Sequence, residues 1–196
     1  MENVNNLELW EKVEKTNPAD TKEITFGRKI TAIDPYKQIK AATKEFGAVG
    51  KGWGWSVERV EYLPTNELAL LIRLWHGEKN NSFDHWGQSS LFIDKAEKKK
   101  DTACFKKATT DGVTKCLSLL GFNADVFLGK FDDNKYVQQM KEEFAEKNKK
   151  PLENDRFTKL LTLKLEVLKS QKDAFAFTTD QKTVLDDKIK ELENKA

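Results

Sequence analysis

The chain is poor in the residues that most directly carry covalent chemistry or covalent scaffolding. Of its 196 residues only two are cysteine and two are histidine. Cys104 and Cys116 lie in a segment of helical periodicity where a disulfide between them is geometrically unfavourable. They read as small buried hydrophobes of a reducing cytosol. His76 and His85 do not combine with them in any zinc spacing. No apolar run approaches the roughly 20 residues that a membrane-spanning helix needs. The opening MENVNNLELWEK lacks the charged-then-apolar order of a signal peptide. A net charge of +2 excludes global basicity, so any affinity for a polyanion has to be local. These absences predict a soluble, cytoplasmic protein with no metal or cofactor.

What is present suffices for a substantial core. Five Trp and twelve Phe supply bulky apolar surface in a chain that is 34% charged. Leu7, Trp10 and Val13 recur at helical spacing before Asn17-Pro18, and Ile24 to Ile33 reads as extended. Asp34-Pro35 opens a helix that Gly47 stops, with Tyr36, Ile39, Thr43 and Phe46 as its apolar face. Strands are expected at Trp53 to Leu63, Glu67 to Trp75 and, after a loop from His76 to Gly87, Gln88 to Ile93. A second long helix, capped by Asp101 or Thr102, runs to Leu120 and Gly121, with Phe105, Ala108, Val113, Cys116, Leu117, Leu119 and Leu120 on its apolar arc. An aromatic-rich connector, Phe122 to Tyr136, follows. The charged stretch Glu142 to Lys150 ends at Pro151. Phe157 to Leu168 and Thr178 to Leu192 are amphipathic, the latter capped by Thr179 or Asp180. The fold class is α+β: helix, three-stranded antiparallel meander and second packed helix, with a C-terminal helical extension. The expected domains are residues 1–140 and 141–196.

Charge is distributed unevenly along this plan. Between Arg28 and Lys51 lie six basic residues (Arg28, Lys29, Lys37, Lys40, Lys44 and Lys51) against Asp34 and Glu45, a local excess of four positive charges. Lys37, Lys40 and Lys44 form a stripe beside the apolar face of the first long helix. Between Lys95 and Lys107 six lysines oppose only Glu97 and Asp101. Lys106, Lys107 and Lys115 belong to the polar side of the second long helix. A lysine stripe alone is commonly a solvated face. Here the first borders a turn with Gly47, Gly50, Gly52 and Gly54, where backbone approaches closely. Trp53 and Trp55 are candidates either for stacking on exposed bases or for the core of the following strand. Gly50-Lys51-Gly52 fails the spacing of a nucleotide-binding loop, so no ATP site is expected. The residues favour binding a polyanion over catalysis: a binding protein, not an enzyme.

Ile33-Asp34-Pro35-Tyr36-Lys37 through Phe46-Gly47, then Gly52-Trp53, resembles the helix and strand of the Rad-fifty-two family of single-strand annealing proteins. Ala108-Thr109-Thr110-Asp111-Gly112, with Lys115 and Gly121, is similar to that family's second signature helix. The likeness spans Ile24 to Leu120, and the continuation GFNADVFLGKFDDNKYV looks like annealing proteins carried by bacteriophages. The resemblance implies a homo-oligomeric ring or arc that holds single-stranded DNA in a positive groove, backbone inward and bases outward. Complementary strands then anneal without ATP, in recombination and repair. By position Lys37, Lys106 and Lys115 match basic residues of the family's inner DNA site. Thr114 and Ser118 stand where relatives carry further basic residues, with Lys40, Lys44 and Lys107 as substitutes. The implied compartment is the bacterial host cytoplasm, if the protein is phage-encoded.

Three other readings compete. Asp84 with Glu97-Lys98-Lys99 loosely imitates the metal site of a nuclease, though a loop aspartate and a solvated charge run explain it as well. The helix–meander–helix outline is also that of a double-stranded RNA-binding module. A structural scaffold would bind no nucleic acid in a salt-sensitive way. The segment from Lys141 balances 13 basic against 12 acidic residues. It reads as a packing element or as a contact for a host single-strand binding protein.

Overall fold

The computed structural model describes residues 5–26, 28–94 and 96–195; Lys95 and the Arg28 side chain lie outside the described residues. The chain divides into two compact units, one to Val137 and one from Gln138. No helix among the described residues is long and apolar enough to cross a membrane.

The first unit opens with helix α1 (Glu8–Val13), then a hairpin of β1 (Thr21–Phe26) and β2 (Arg28–Ile33). Helix α2 (Pro35–Phe46) starts where the sequence says it should. Asp34 accepts the Tyr36 N–H at 3.0 Å and Pro35 takes the first turn. Strands β3 (Trp53–Leu63), β4 (Glu67–His76) and β5 (Glu78–Ser90) form an antiparallel sheet in that order, and α3 (Cys104–Leu119) packs across β4 and β5. Alternate residues of β4 (Leu68, Leu70, Ile72 and Leu74) are buried with Ala108, Val113, Cys116 and Leu117 of α3. Each buried Leu, Ile or Val among them contributes about 1.5–3 kcal/mol. Close approach is possible because two glycines face each other. A Cβ at Gly112 would lie 2.4 Å from Ile72 Cγ1, and one at Gly87 would lie 2.1 Å from the Ala108 carbonyl oxygen. Two residues expected on the apolar arc, Phe105 and Leu119, remain exposed.

The third strand differs from expectation. It begins at Glu78, within what the composition assigns to a loop, and Leu91 to Ile93 lie beyond its end. Lys79, Asn80, Asn81 and Asp84 have weak strand preference. Pairing with β4 on either side overrides it, Lys79 to Asn81 filling the irregularity between the Glu78 and Ser82 pairs, and Arg73 clamps its cross-strand partner Asp84 with two bonds of 2.8 Å. The start of α3 is likewise shifted. Asp101 accepts the Ala103 N–H at 2.9 Å, but the position preceding Cys104 carries no side-chain cap.

The aromatic connector folds into α4 (Ala124–Phe127) and a 3-10 turn, and α5 (Asn134–Asn148) begins eight residues before Glu142. The second unit then contains β6 (Lys150–Pro151), α6 (Asn154–Leu160), α7 (Leu165–Gln171), β7 (Phe175–Ala176) and α8 (Thr179–Glu193). The helix expected from Phe157 to Leu168 is two helices. Thr162 turns its hydroxyl onto the Lys159 carbonyl at 2.7 Å, and Lys164 is extended. Thr178, one residue before the expected cap, completes a capping box with Gln181. Leu152, Phe157, Leu160, Leu168, Phe177, Leu185 and Ile189 make this unit's own core.

Candidate nucleic-acid interface

The first turn of α2 and the polar side of α3 border a cleft of about 430 Å³, lined by Pro35, Ala103, Lys106, Lys107, Thr110, Asp111 and Thr114. Lys106 is exposed and has no ion pair among the described residues. Lys107 reaches Asp101 at 2.6 Å. That contact and the Ala103 N–H hold the Asp101 carboxyl below the usual aspartate range. Lys115 contacts Asp111 at 2.8 Å, and the same Asp111 oxygen accepts the Gln88 N–H at 2.9 Å, joining the helix to β5. Thr114, placed where the resemblance expects a cation, points its hydroxyl at the Thr110 carbonyl.

On α2 the exposed arc carries Tyr36, Lys37, Lys40 and Lys44. Tyr36 is 73% exposed rather than part of the apolar face. The buried positions are Gln38 and Ala42, with Ile39 and Phe46 packed beside them. Gln38 takes this place because its amide donates to the Phe122 carbonyl at 3.2 Å. A hydrophobicity pattern assigns such a glutamine to solvent, which is why the helix face is misjudged by about one position. Lys37 is drawn to Asp20 at 2.8 Å, and that bond raises its pKa. Lys40, Lys44 and Lys51 are exposed without an ion pair among the described residues.

The structure thus brings Lys106 and Lys107 into one cleft and sets Lys115 beside it through Asp111. The lysine stripe of α2 begins next to the wall residue Pro35. Other candidates lie elsewhere. Lys29 pairs with Glu23 at 3.1 Å and lines a different cleft with Phe127 and Phe131. Trp53 is fully buried and cannot stack on a base. Trp55 packs against the same core, its ring 5.7 Å from that of Trp53. The glycine turn is closed by its own chain, since a Cβ at Gly52 would lie 1.6 Å from the Phe46 carbonyl oxygen.

The residues considered for catalysis are engaged in the fold. Arg73 holds Asp84 and lowers its pKa, and Asn66 donates to Glu97 at 2.8 Å. His76 stacks on Phe46 with ring centroids 4.7 Å apart, and burial lowers its pKa. Both cysteines are buried and free; burial pushes the Cys116 thiol up to about 11. Among the described residues no group of three or more His, Cys, Asp or Glu side chains is placed to hold a metal.

Asp125, in the connector after α3, is also buried. It accepts the Thr16 N–H at 2.8 Å, the Thr16 hydroxyl and the Tyr136 hydroxyl at 2.9 Å. It ties the chain before β1 to the segment after α3. No protein-family model matches the chain, and no curated protein matches it.

Proposed function

We propose that the chain binds single-stranded DNA along the cleft between α2 and α3 and anneals complementary strands without ATP, as a homo-oligomer. The observation that carries this reading is the pairing of Lys106 and Lys107 on one wall with Pro35, at the head of the α2 lysine stripe, on the other. The resemblance to the Rad-fifty-two family supports it on the same two helices. Ammonium groups neutralise phosphates and release counterions, so binding weakens with salt by about 0.7 log units per log unit for each phosphate held. Three of the lysines assigned on α2 and α3 (Lys37, Lys107 and Lys115) hold carboxylates of their own chain, which phosphates displace on binding. The Lys37 and Lys115 pairs are open to solvent and exchange at little cost, whereas Asp101 is buried and holds Lys107 more firmly. Holding an extended strand by its backbone leaves base edges free, and pairing itself drives the reaction.

The test mixes complementary oligonucleotides with the protein and no nucleotide cofactor, and follows duplex formation. Acceleration by the native chain, lost in Lys106→Ala/Lys107→Ala, is the expected result. Equal rates with and without protein would exclude annealing.

A further inference from the structure

We propose that Tyr36 is a stacking platform for one base of the bound strand, a reading that rests on the cleft being the single-strand site. An isolated exposed tyrosine means little by itself; its position and freedom carry the argument. Tyr36 follows the wall residue Pro35 directly and heads the exposed arc of α2, with Lys40 and Lys44 at successive i+4 positions. Residues four apart on a helix lie about 5–6 Å apart at Cβ. A base on the ring and its phosphate on the Lys40 ammonium therefore fall within one nucleotide's reach. Tyr36 is 73% exposed, the highest value among the large hydrophobic side chains of the described residues. Among the described residues it makes no ring contact, and its hydroxyl makes no hydrogen bond.

The other aromatics near these helices are occupied. Trp53 has no exposed surface, Phe46 stacks on His76, and Phe105 meets Tyr62 edge-on at 6.4 Å. Asp34 and Pro35 fix the backbone from which Tyr36 projects, so ordering a base against it costs little chain entropy. Stacking uses the face of a base and is tolerant of sequence. Its pairing edge stays open, which is what an annealing protein requires. Tyr36 would hold a strand in register without reading it.

The decisive measurement compares binding of a thymidine oligonucleotide with binding of an equally long strand of abasic units, so that phosphate number is constant. Tyr36→Leu is expected to weaken binding of the base-bearing strand about five- to tenfold, with no change for the abasic strand and no change in salt slope. Tyr36→Phe keeps the affinity, since the ring and not the hydroxyl stacks. Equal loss on both strands, or none on either, overturns the platform. Lys106→Ala/Lys107→Ala, measured alongside, separates the two readings. If it weakens both strands while Tyr36→Leu does nothing, stacking fails and the groove stands. If it has no effect, the groove fails and Tyr36 with it.

Discussion

Lysines are common in both units of this protein, but they are used differently. In the unit from Gln138 several are matched to carboxylates, Lys147 to Glu143 at 2.8 Å and Lys149 to Glu146 at 2.6 Å within a turn, and Lys169 to Glu193 and Lys172 to Asp186 at 2.7 Å from α7 and its C-cap to α8. Glu191 receives both Lys188 and Lys195, and those two bonds bring its pKa down to about 2. In the unit to Val137, Lys40, Lys44, Lys51 and Lys106 have no such partner among the described residues. Each unit has one positive charge in excess, 21 basic against 20 acidic residues to Val137 and 13 against 12 from Gln138. The first unit differs by clustering its cations along α2 and α3 rather than by carrying more net charge. Charge that is already answered within a helix bundle contributes little field outside it.

The comparison is sharpened first through stability. Asp125 and Thr178 are polar anchors of the two units, and they differ in burial and in the number of bonds they hold. Asp125→Ala leaves Thr16 and Tyr136 without their acceptor and is expected to cost about 3 kcal/mol. Thr178→Ala removes one capping bond of α8, worth about 1 kcal/mol. Hydrogen exchange resolved by segment checks both: the first change speeds exchange in β3 to β5 and α3, the second in α8 alone. Faster exchange throughout the chain for either variant would show that the two units do not unfold separately.

The next contrast concerns binding. Lys106→Ala/Lys107→Ala is expected to lower single-strand affinity on the order of tenfold at low salt and to reduce the salt slope by about 1.4, two contacts' worth. The matching change in the second unit, Lys169→Ala/Lys172→Ala, leaves both unchanged. Titrations at several salt concentrations distinguish them. Equal losses from the two pairs would erase the difference between the surfaces.

The sequence makes α2 and most of β3 and β4 legible because local signals agree with the fold there: Asp34-Pro35 and Gly47 bound the helix, and alternation marks the strands. It fails where a long-range partner decides. Asp84 belongs to a strand only because Arg73 of β4 is opposite it, and Asn80 and Asn81 are carried into the strand through the irregularity where the register shifts between Trp75 and His76. Gln38 is buried only because the Phe122 carbonyl, far along the chain, accepts its amide. The lysine clusters are visible as charge, but their carboxylate partners are not: Asp20 is 17 residues from Lys37 and comes close through the β1–β2 hairpin. Trp53 was legible as either base-stacker or core, and only packing separates those roles.

The smallest expected effect probes those partners. Asp20 holds Lys37 by a hydrogen bond and by charge, and both raise the lysine's pKa from its ordinary 10.5. A raised cationic pKa means that the pair's contribution to stability is complete below 10.5 and fades as pH climbs through the elevated value. At neutral pH the lysine is charged but committed. Asp20→Asn releases it, and single-strand affinity is expected to rise about two- to fivefold at low salt, the gain disappearing as salt screens the pair. Asp186→Asn, which frees Lys172 in the second unit, changes nothing by the same measurement. A gain from Asp20→Asn alone places Lys37 among the residues that meet phosphate. No gain from it would leave Lys37 a structural partner of the hairpin, with the strand running past Lys40 and Lys106 instead.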